Sequence, residues 1–146
     1  MRVKSASQKG AALVEFALVL IPLLLITFGI IEFGMLMYNQ QVLTNASREG
    51  ARAGIVVRTP NPRLPATGAN SIESVVQNYC LNHLVTFGAT NIPPTTTVTG
   101  YDPGAAFGTN LTVQVNYTYS FLVIPNFIPG ITNPRPMQAI TVMKYE

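Results

Sequence analysis

A long apolar stretch near the N-terminus most constrains what this chain can become. The 21 residues from Ala11 to Ile31 carry a single formal charge, at Glu15. A helix of that length rises about 31 Å at ~1.5 Å per residue, which matches the hydrocarbon core of a bilayer. The sequence therefore predicts a membrane-spanning helix.

The charges on either side of this stretch predict its orientation. Arg2, Lys4 and Lys9 precede it, and Glu32 follows it. Positively charged flanks are retained on the cytoplasmic side of a membrane. We expect a single pass, with the N-terminus in the cytoplasm and the remainder in the periplasm or outside the cell.

A removable secretory signal has the same polarity and is the first alternative. Its apolar region is ~7–15 residues long and is followed promptly by an A-x-A-like cleavage site. The apolar stretch here is longer, and the nearest such triplet, Ala51-Arg52-Ala53, begins 20 residues after Ile31. Retention in the membrane is therefore the favoured interpretation.

Glu15 is the anomaly in the apolar stretch, because a carboxylate on a lone helix in lipid costs about 2.5–3.5 kcal/mol on insertion scales. One explanation is that Glu15 lies near the interface, where its side chain can snorkel to water and the cost is smaller. Its spacing offers a second explanation. Cleavage after Gly10 would make Ala11 a charged N-terminus, and Glu15 would lie about 6 Å further along the axis. The carboxylate would then suit the terminal amine of a staggered neighbouring copy.

Three of these residues carry a resemblance to a known family. Gly10, Glu15 and Phe16 resemble the prepilin processing motif of the Tad/Flp branch of type IV pilus systems, in which glycine precedes the cut and Glu-Phe or Glu-Tyr occupies mature positions five and six. The continuation to about Val57, with its Glu-Phe-Gly and Asn-Ala-x-Arg-Glu-Gly-Ala-Arg segments, is similar to the TadE family of pseudopilins. Beyond it, the chain shares only the family's habit of a variable extracytoplasmic domain.

The resemblance implies a processing step, a role and partners. It implies a minor pilin or pseudopilin that a prepilin peptidase cleaves between Gly10 and Ala11, with Glu15 and Phe16 acting in the assembly of Tad/Flp-type pili or a related secretion system. The implied partners are that peptidase, other pilins or pseudopilins, the Tad inner-membrane platform and membrane lipid. The implied location is the bacterial inner membrane or, after assembly, the pilus.

Small residues continue the helical pattern from Glu32 to about Val57. Ala46, Gly50 and Gly54 stand four apart on one side, the spacing that lets another backbone approach closely. Each glycine inside a helix costs about 1 kcal/mol relative to alanine, so close contact with a sheet or a second helix is a reasonable explanation. A frayed helix end at either glycine is the alternative.

The next residues predict a linker and a second helix. Thr59 to Ala69 holds three prolines and a glycine, a composition typical of a linker. We expect Asn70 to cap the second helix, with Glu73 in capping-box position, and Gly88 to close it. His83 falls on the apolar side of this helix as a core or boundary residue. That side has seven apolar members: Ile72, Val75, Val76, Tyr79, Cys80, Leu84 and Phe87.

The remainder predicts an antiparallel sheet of three strands. They are expected at Val98–Tyr101, Leu111–Tyr119 and Gln138–Tyr145, the second showing strict alternation of apolar and polar residues. Asp102-Pro103-Gly104 predicts a turn. The proline-rich loop before the last strand carries Phe127 and Ile128, which either fold back onto the domain or contact a partner or the membrane.

Charge and composition exclude several classes of function. The formal net charge is +3, but residues 1–10 hold three of the nine basic residues, and the six that remain balance six acidic ones. No basic face is left for nucleic acid. One histidine and one cysteine are too few for a zinc site or a Cys-His triad, and no phosphate-binding glycine loop occurs. We expect no enzyme, no metal and no cofactor.

These patterns predict an α+β protein in three parts: a cytoplasmic leader at 1–10, a transmembrane and extended helix at 11–57, and an extracytoplasmic domain at 58–146. Two other classes of function stay open. One is an uncleaved single-pass anchor that presents a binding domain. The other is a secreted protein that signal peptidase releases.

Overall fold

The computed structural model describes residues 6–58, 63–86, 93–122 and 132–145, with side chains from Gly10 onwards. The described residues form two helices and one sheet. The helices are α1 (Ala6–Ile55) and α2 (Ile72–His83), and the strands are β1 (Thr95–Thr99), β2 (Asn110–Tyr119) and β3 (Arg135–Lys144). The predicted α+β fold, with a long apolar N-terminal helix and a three-stranded antiparallel sheet, is confirmed.

The first half of α1 is almost wholly exposed in the part of the chain that the structure describes. Its side chains from Gly10 to Ile31 are exposed, apart from Leu20 and Gly29, which are half-buried. Among the described residues, α1 is the one helix long and apolar enough to cross a membrane, and its most apolar window has no buried residue. An apolar surface of this length needs lipid or other protein to cover it, and α1 fits a membrane anchor.

The second half of α1 is the spine of the domain. From Glu32 onwards one side of the helix is buried against α2 and the inner face of the sheet. Full burial of one apolar side chain contributes about 1.5–3 kcal/mol of transfer free energy. The buried apolar residues of this half therefore hold the helix in the domain. The buried α1 residues in this half are Glu32, Asn39, Val42, Leu43, Ala46, Ser47, Gly50, Ala51, Ala53 and Gly54.

The sheet has the order β1-β2-β3, with both pairs antiparallel. Alternate residues of β2 face the helices and are buried: Leu111, Val113, Val115, Tyr117 and Tyr119. The outer strands differ in extent from the prediction. β1 lies at Thr95–Thr99, because the positive φ of Gly100 (76°) ends it before Tyr101. β3 begins at Arg135 rather than Gln138, because Arg135 pairs with Tyr119 at the end of β2.

The predicted N-terminal cap of α2 is wrong by one residue. Asn70 adopts a left-handed backbone (φ 54°), whereas an N-cap needs the extended backbone that Ser71 has. Ser71 and Ser74 form the capping box: the amide of Ser74 donates to Ser71 Oγ at 3.1 Å, and the amide of Ser71 donates to Ser74 Oγ at 2.8 Å. Glu73 instead accepts from the Gln77 side chain at 3.2 Å.

The apolar side of α2 follows the predicted spacing only in part. Ile72, Val76 and Cys80 are fully buried. Val75, Tyr79 and Leu84 are half-buried, while Phe87 and the predicted terminator Gly88 lie outside the described residues. His83 is exposed rather than a core or boundary residue, because it ends the helix and stacks on the Tyr79 ring with 4.4 Å between centroids.

The predicted linker and turn have ordered contacts where the structure describes them. Residues 63–69 form no helix or strand. In the turn after β1, the amide of Gly104 donates to Asp102 Oδ1 at 2.9 Å. The loop residues Phe127 and Ile128 lie outside the described residues.

Two glycines let α1 approach its neighbours closely. A Cβ on Gly50 would lie 2.5 Å from Val76 Cγ2, and one on Gly54 would lie 2.6 Å from both Ile72 Cδ1 and Leu111 Cδ2. All three neighbours are fully buried, so they have little room to move. The helix continues through both glycines to Ile55, so neither glycine is a frayed helix end. The expected close backbone contact is what the structure shows.

We predict that Gly50→Ala lowers the free energy of unfolding by about 1–3 kcal/mol, the usual cost of overpacking a core. The new methyl group meets Val76, whose β-branched side chain is stiff, and this outweighs the gain of about 1 kcal/mol in helix propensity. Thermal unfolding in detergent micelles, followed by circular dichroism, measures the change.

Gly34→Ala is the matched control, because a Cβ at this helical glycine meets nothing within 4 Å. It should leave the stability unchanged or raise it slightly. Equal stability of the two variants would contradict the close contact at Gly50.

Candidate functional site

The residues of the predicted processing motif lie together on the bare half of α1. Gly10, Ala11, Glu15 and Phe16 are all exposed, and a Cβ on Gly10 would meet nothing within 4 Å. Ala11 and Glu15 are four residues apart, so they are neighbours on one side of the helix, about 6 Å apart along its axis. This stretch can therefore be reached by another molecule without moving any part of the domain.

The predicted packing residues lie at the other end of the same helix. Ala46, Gly50 and Gly54 are buried inside the chain, and the two glycines lie against α2 and β2. Ala46 is about 52 Å from Ala11 along the axis at ~1.5 Å per residue. The structure therefore does not bring the two groups together: one is exposed to partners, and the other holds the helix in the domain.

Glu32 joins the two halves of α1. Its side chain is 3% exposed, and its Oε1 accepts a hydrogen bond from the backbone amide of Leu122. The sequence showed Glu32 only as the charge that ends the apolar stretch. Its role in fixing the end of the chain after β2 could not be inferred, because it depends on where β2 ends in space.

Tyr119 lies near this carboxylate at the end of β2. Burial raises the pKa of the Tyr119 hydroxyl, and the negative charge of Glu32 raises it further. The hydroxyl is buried with no hydrogen-bond partner among the described residues, while the ring packs edge-on against Phe121 at 5.3 Å between centroids. Tyr119 is therefore neutral at physiological pH and acts as a packing residue beside Glu32.

Asn39 is a second contact that the sequence did not reveal. Its side chain is fully buried and makes two hydrogen bonds to the backbone of Val85: Nδ2 donates to the carbonyl at 2.8 Å, and Oδ1 accepts from the amide at 3.0 Å. The amide side chain thus satisfies backbone groups just after α2 that would otherwise be buried unpaired. The available signal was its spacing, seven residues before Ala46 on the small-residue side.

Arg63 closes the opposite end of the domain. Its guanidinium lies over the Tyr145 ring at 4.4 Å and donates to the carbonyls of Ile55, Pro103 and Ala105 at 3.2–3.4 Å. A cation at the C-terminus of a helix satisfies free carbonyls and complements the helix dipole. Arg63 therefore caps α1 from within a segment that the sequence indicated only as a linker.

The titratable groups do not form a chemical centre in the described part of the chain. No group of three or more His, Cys, Asp or Glu residues there could hold a metal ion. Burial raises the pKa of the Cys80 thiol to about 11, so it stays protonated at neutral pH and is a poor nucleophile. An open groove of about 700 Å³ between Ile55, Phe107 and Tyr145 has no carboxylate or histidine among its described lining residues.

The comparisons with known proteins concern α1. Residues 10–52 match a family model described as TadE-like protein. The N-terminal helix is TadE-like. This confirms the resemblance on which the sequence interpretation depends, for residues 10–52 of the chain. The comparison with curated proteins gave no match, and neither did the comparison with solved structures.

The TadE-like segment has informative limits. It begins at Gly10, the last residue of the predicted leader, and ends at Arg52, three residues before the end of α1. It contains Ala11, Glu15 and Phe16, and it includes the buried half of the helix as far as Ala51. The sheet and α2 lie wholly outside it, so the match concerns the helix rather than the domain that the helix carries.

Proposed function

We propose that this chain is a TadE-like minor pilin or pseudopilin that a prepilin peptidase cleaves between Gly10 and Ala11. It acts in the assembly of Tad/Flp-type pili or a related secretion system. The observation that carries the proposal is the match over residues 10–52, which begins at the residue before the proposed cut. The bare apolar half of α1, starting at the same residue, supports it.

The proposed cut is chemically accessible on this helix. Gly10 is exposed and has open space around it, so a peptidase at the cytoplasmic face of the membrane can reach the Gly10–Ala11 peptide bond. Hydrolysis removes residues 1–10, which include Arg2, Lys4 and Lys9. It leaves Ala11 with a new positively charged amine at the end of an apolar helix.

That new amine gives Glu15 a partner. A carboxylate within the membrane is costly unless it is paired. In a stack of like helices, the Glu15 carboxylate of one copy pairs with the Ala11 amine of a staggered neighbour, while apolar side chains such as Phe16 and Leu18 pack between them. Both of these apolar residues are more than 60% exposed within the single chain, so they are free for such packing.

The domain is firmly attached to the assembling helix. Leu43, Ala46 and Ala51 of α1 are fully buried in the same core as α2 and the sheet. A force that draws α1 out of the membrane therefore moves the domain with it, without a flexible linker between them. This suits a subunit whose anchor is also its packing surface.

Release by signal peptidase is disfavoured by the position of the alternative site. Ala51-Arg52-Ala53 lies inside α1, and Ala51 and Ala53 are 0% and 6% exposed. A cut there would remove Leu43 and Ala46 from the core that they help to form. An uncleaved single-pass anchor stays as the alternative, and the mass of the mature protein separates it from the proposal.

We predict that Gly10→Leu blocks processing without disturbing the fold. The protein isolated from membranes of cells with an active prepilin peptidase should have the mass of a chain starting at Ala11, and the variant should keep its full-length mass. Gly29→Leu is the control, because a Cβ at this glycine of α1 also meets nothing within 4 Å, and the variant should be cleaved normally. A full-length wild-type protein, or a Gly10→Leu protein that is cleaved as efficiently, would refute the proposed cut.

We predict that Glu15→Ala leaves cleavage largely intact but lowers incorporation into filaments by at least about tenfold, which corresponds to a loss of only about 1.4 kcal/mol. Glu15→Gln should show the same defect, because it keeps the shape but loses the charge that pairs with the amine. Glu49→Ala removes an exposed carboxylate of the domain half and serves as the control. Equal filament yield for Glu15→Ala and wild type would count against the pairing.

A further inference from the structure

One end of the domain is held at the level where the apolar stretch of α1 stops. The amide of Leu122 donates to the carboxylate of Glu32, which is one residue beyond Ile31. β2 therefore runs antiparallel to α1, since Leu111 near its start packs at the position of Gly54, whereas its other end reaches Glu32. The domain thus has a defined lower end, next to the membrane-spanning half of α1.

The lower end is fixed by local hydrogen bonds on both sides of the following loop. The amide of Phe121 donates to Asn133 Oδ1 at 3.2 Å, and Asn133 Nδ2 donates to the Phe121 carbonyl at 3.3 Å. Arg135, at the start of β3, pairs with Tyr119 at the end of β2. These contacts therefore hold Asn133 and Arg135 at the level of Glu32.

The lower end exposes apolar side chains in continuity with the membrane helix. Leu122 is 66% exposed, and on α1 Phe33 and Met37 are 54% and 50% exposed. We call Phe33, Met37, Leu122 and Arg135 the base surface. Its apolar members continue the bare surface of α1 by about one to two turns beyond Ile31, that is, by roughly 9 Å at Met37.

The described lower end differs from the upper end in having no exposed carboxylate, whereas the upper end carries exposed residues of both signs, such as Arg52 and Glu49. Glu32 is buried, and the exposed or half-buried carboxylates of the described domain lie at the upper end. Glu49 is about 26 Å above Glu32 along α1, and Glu73 follows Ile72, which packs against Gly54. Asp102 bonds through its amide to the Tyr145 hydroxyl at 3.3 Å, close to the end where Arg63 caps α1.

The exposed charge at the described lower end is positive. Arg135 is exposed there, and a guanidinium at this level is attracted to lipid phosphates, while nearby apolar side chains enter the region below them. A surface with apolar side chains, an exposed cation and no exposed carboxylate among its described residues suits the interfacial layer of a bilayer with anionic lipids. It is less suited to open water.

We propose that the base surface is seated in the interfacial layer on the extracytoplasmic side of the membrane before assembly. The domain then rests on the lipid instead of standing clear of it on an extended helix. The proposal depends on α1 spanning the bilayer, but not on the peptidase cut. Seating fixes the depth and tilt of the helix, and extraction into a filament has to break this lipid contact.

The chain has no tryptophan, so single introduced tryptophans report depth without interference from a native one. The protein is reconstituted in vesicles of phosphatidylethanolamine and phosphatidylglycerol, with or without brominated acyl chains. Leu122→Trp probes the base surface. Phe107→Trp is the matched control, since Phe107 is 87% exposed and lies beside Ile55 at the upper end. Phe28→Trp, within the apolar stretch, reports insertion itself.

The proposal predicts that brominated lipid removes most of the fluorescence of Leu122→Trp and Phe28→Trp but little of that of Phe107→Trp. Aqueous iodide should show the reverse order. If Phe28→Trp is quenched by lipid while Leu122→Trp is quenched by iodide, α1 spans the membrane but the base surface is not seated, and the proposal is wrong. Protection of Leu122→Trp from both quenchers would also overturn it, in favour of protein contact.

A second variant covers the possibility that tryptophan at position 122 disturbs the fold. Phe33→Trp lies on α1 at the same level and replaces an exposed aromatic side chain. It should show the same lipid quenching and the same protection from iodide as Leu122→Trp. Iodide quenching of Phe33→Trp in a protein whose Phe28→Trp variant is inserted would overturn the proposal independently.

Discussion

The structure depends on the close approach of α1 to the rest of the domain at Gly50 and Gly54. Because neither residue has a side chain, the helix backbone lies directly against Val76, Ile72 and Leu111. α1 also contributes Leu43, Ala46 and Ala51 to the buried core, as many residues as α2 contributes. The domain is thus completed by the membrane helix, and the helix cannot be treated as a tether that could be exchanged or removed.

This arrangement explains why a TadE-like helix can carry a domain that lies outside the matched segment. The first half of the helix keeps its apolar surface free for lipid or for other helices, whereas the second half turns one side inward. Glu32 marks the change, since its buried carboxylate binds the chain after β2 at the point where the apolar stretch ends. The exposed first half of α1 and the close contact at Gly50 are therefore separate features of one continuous helix.

Periodicity in the sequence was sufficient to predict the long helix, α2 and β2, because each repeats its apolar residues at the spacing of its own backbone. Gly50 and Gly54 were identified by their spacing, but their contacts depend on the position of α2. The N-cap was assigned to Asn70 instead of Ser71, since both residue types cap helices and only the backbone angle of Asn70 separates them. Asn39 and Arg63 were missed because their partners are carbonyls and amides 8–46 residues away, which no local pattern records.

The most direct test of this account is whether the domain folds without the upper half of α1. Two shortened chains can be compared, one starting at Glu32 and one starting at Val56. The account predicts that the first, handled in mild detergent because Phe33 and Met37 are exposed, unfolds cooperatively on heating. The second lacks Leu43, Ala46 and Gly50 and should show no cooperative transition. Cooperative unfolding of the chain from Val56 at a similar temperature would contradict the claim that the membrane helix completes the core.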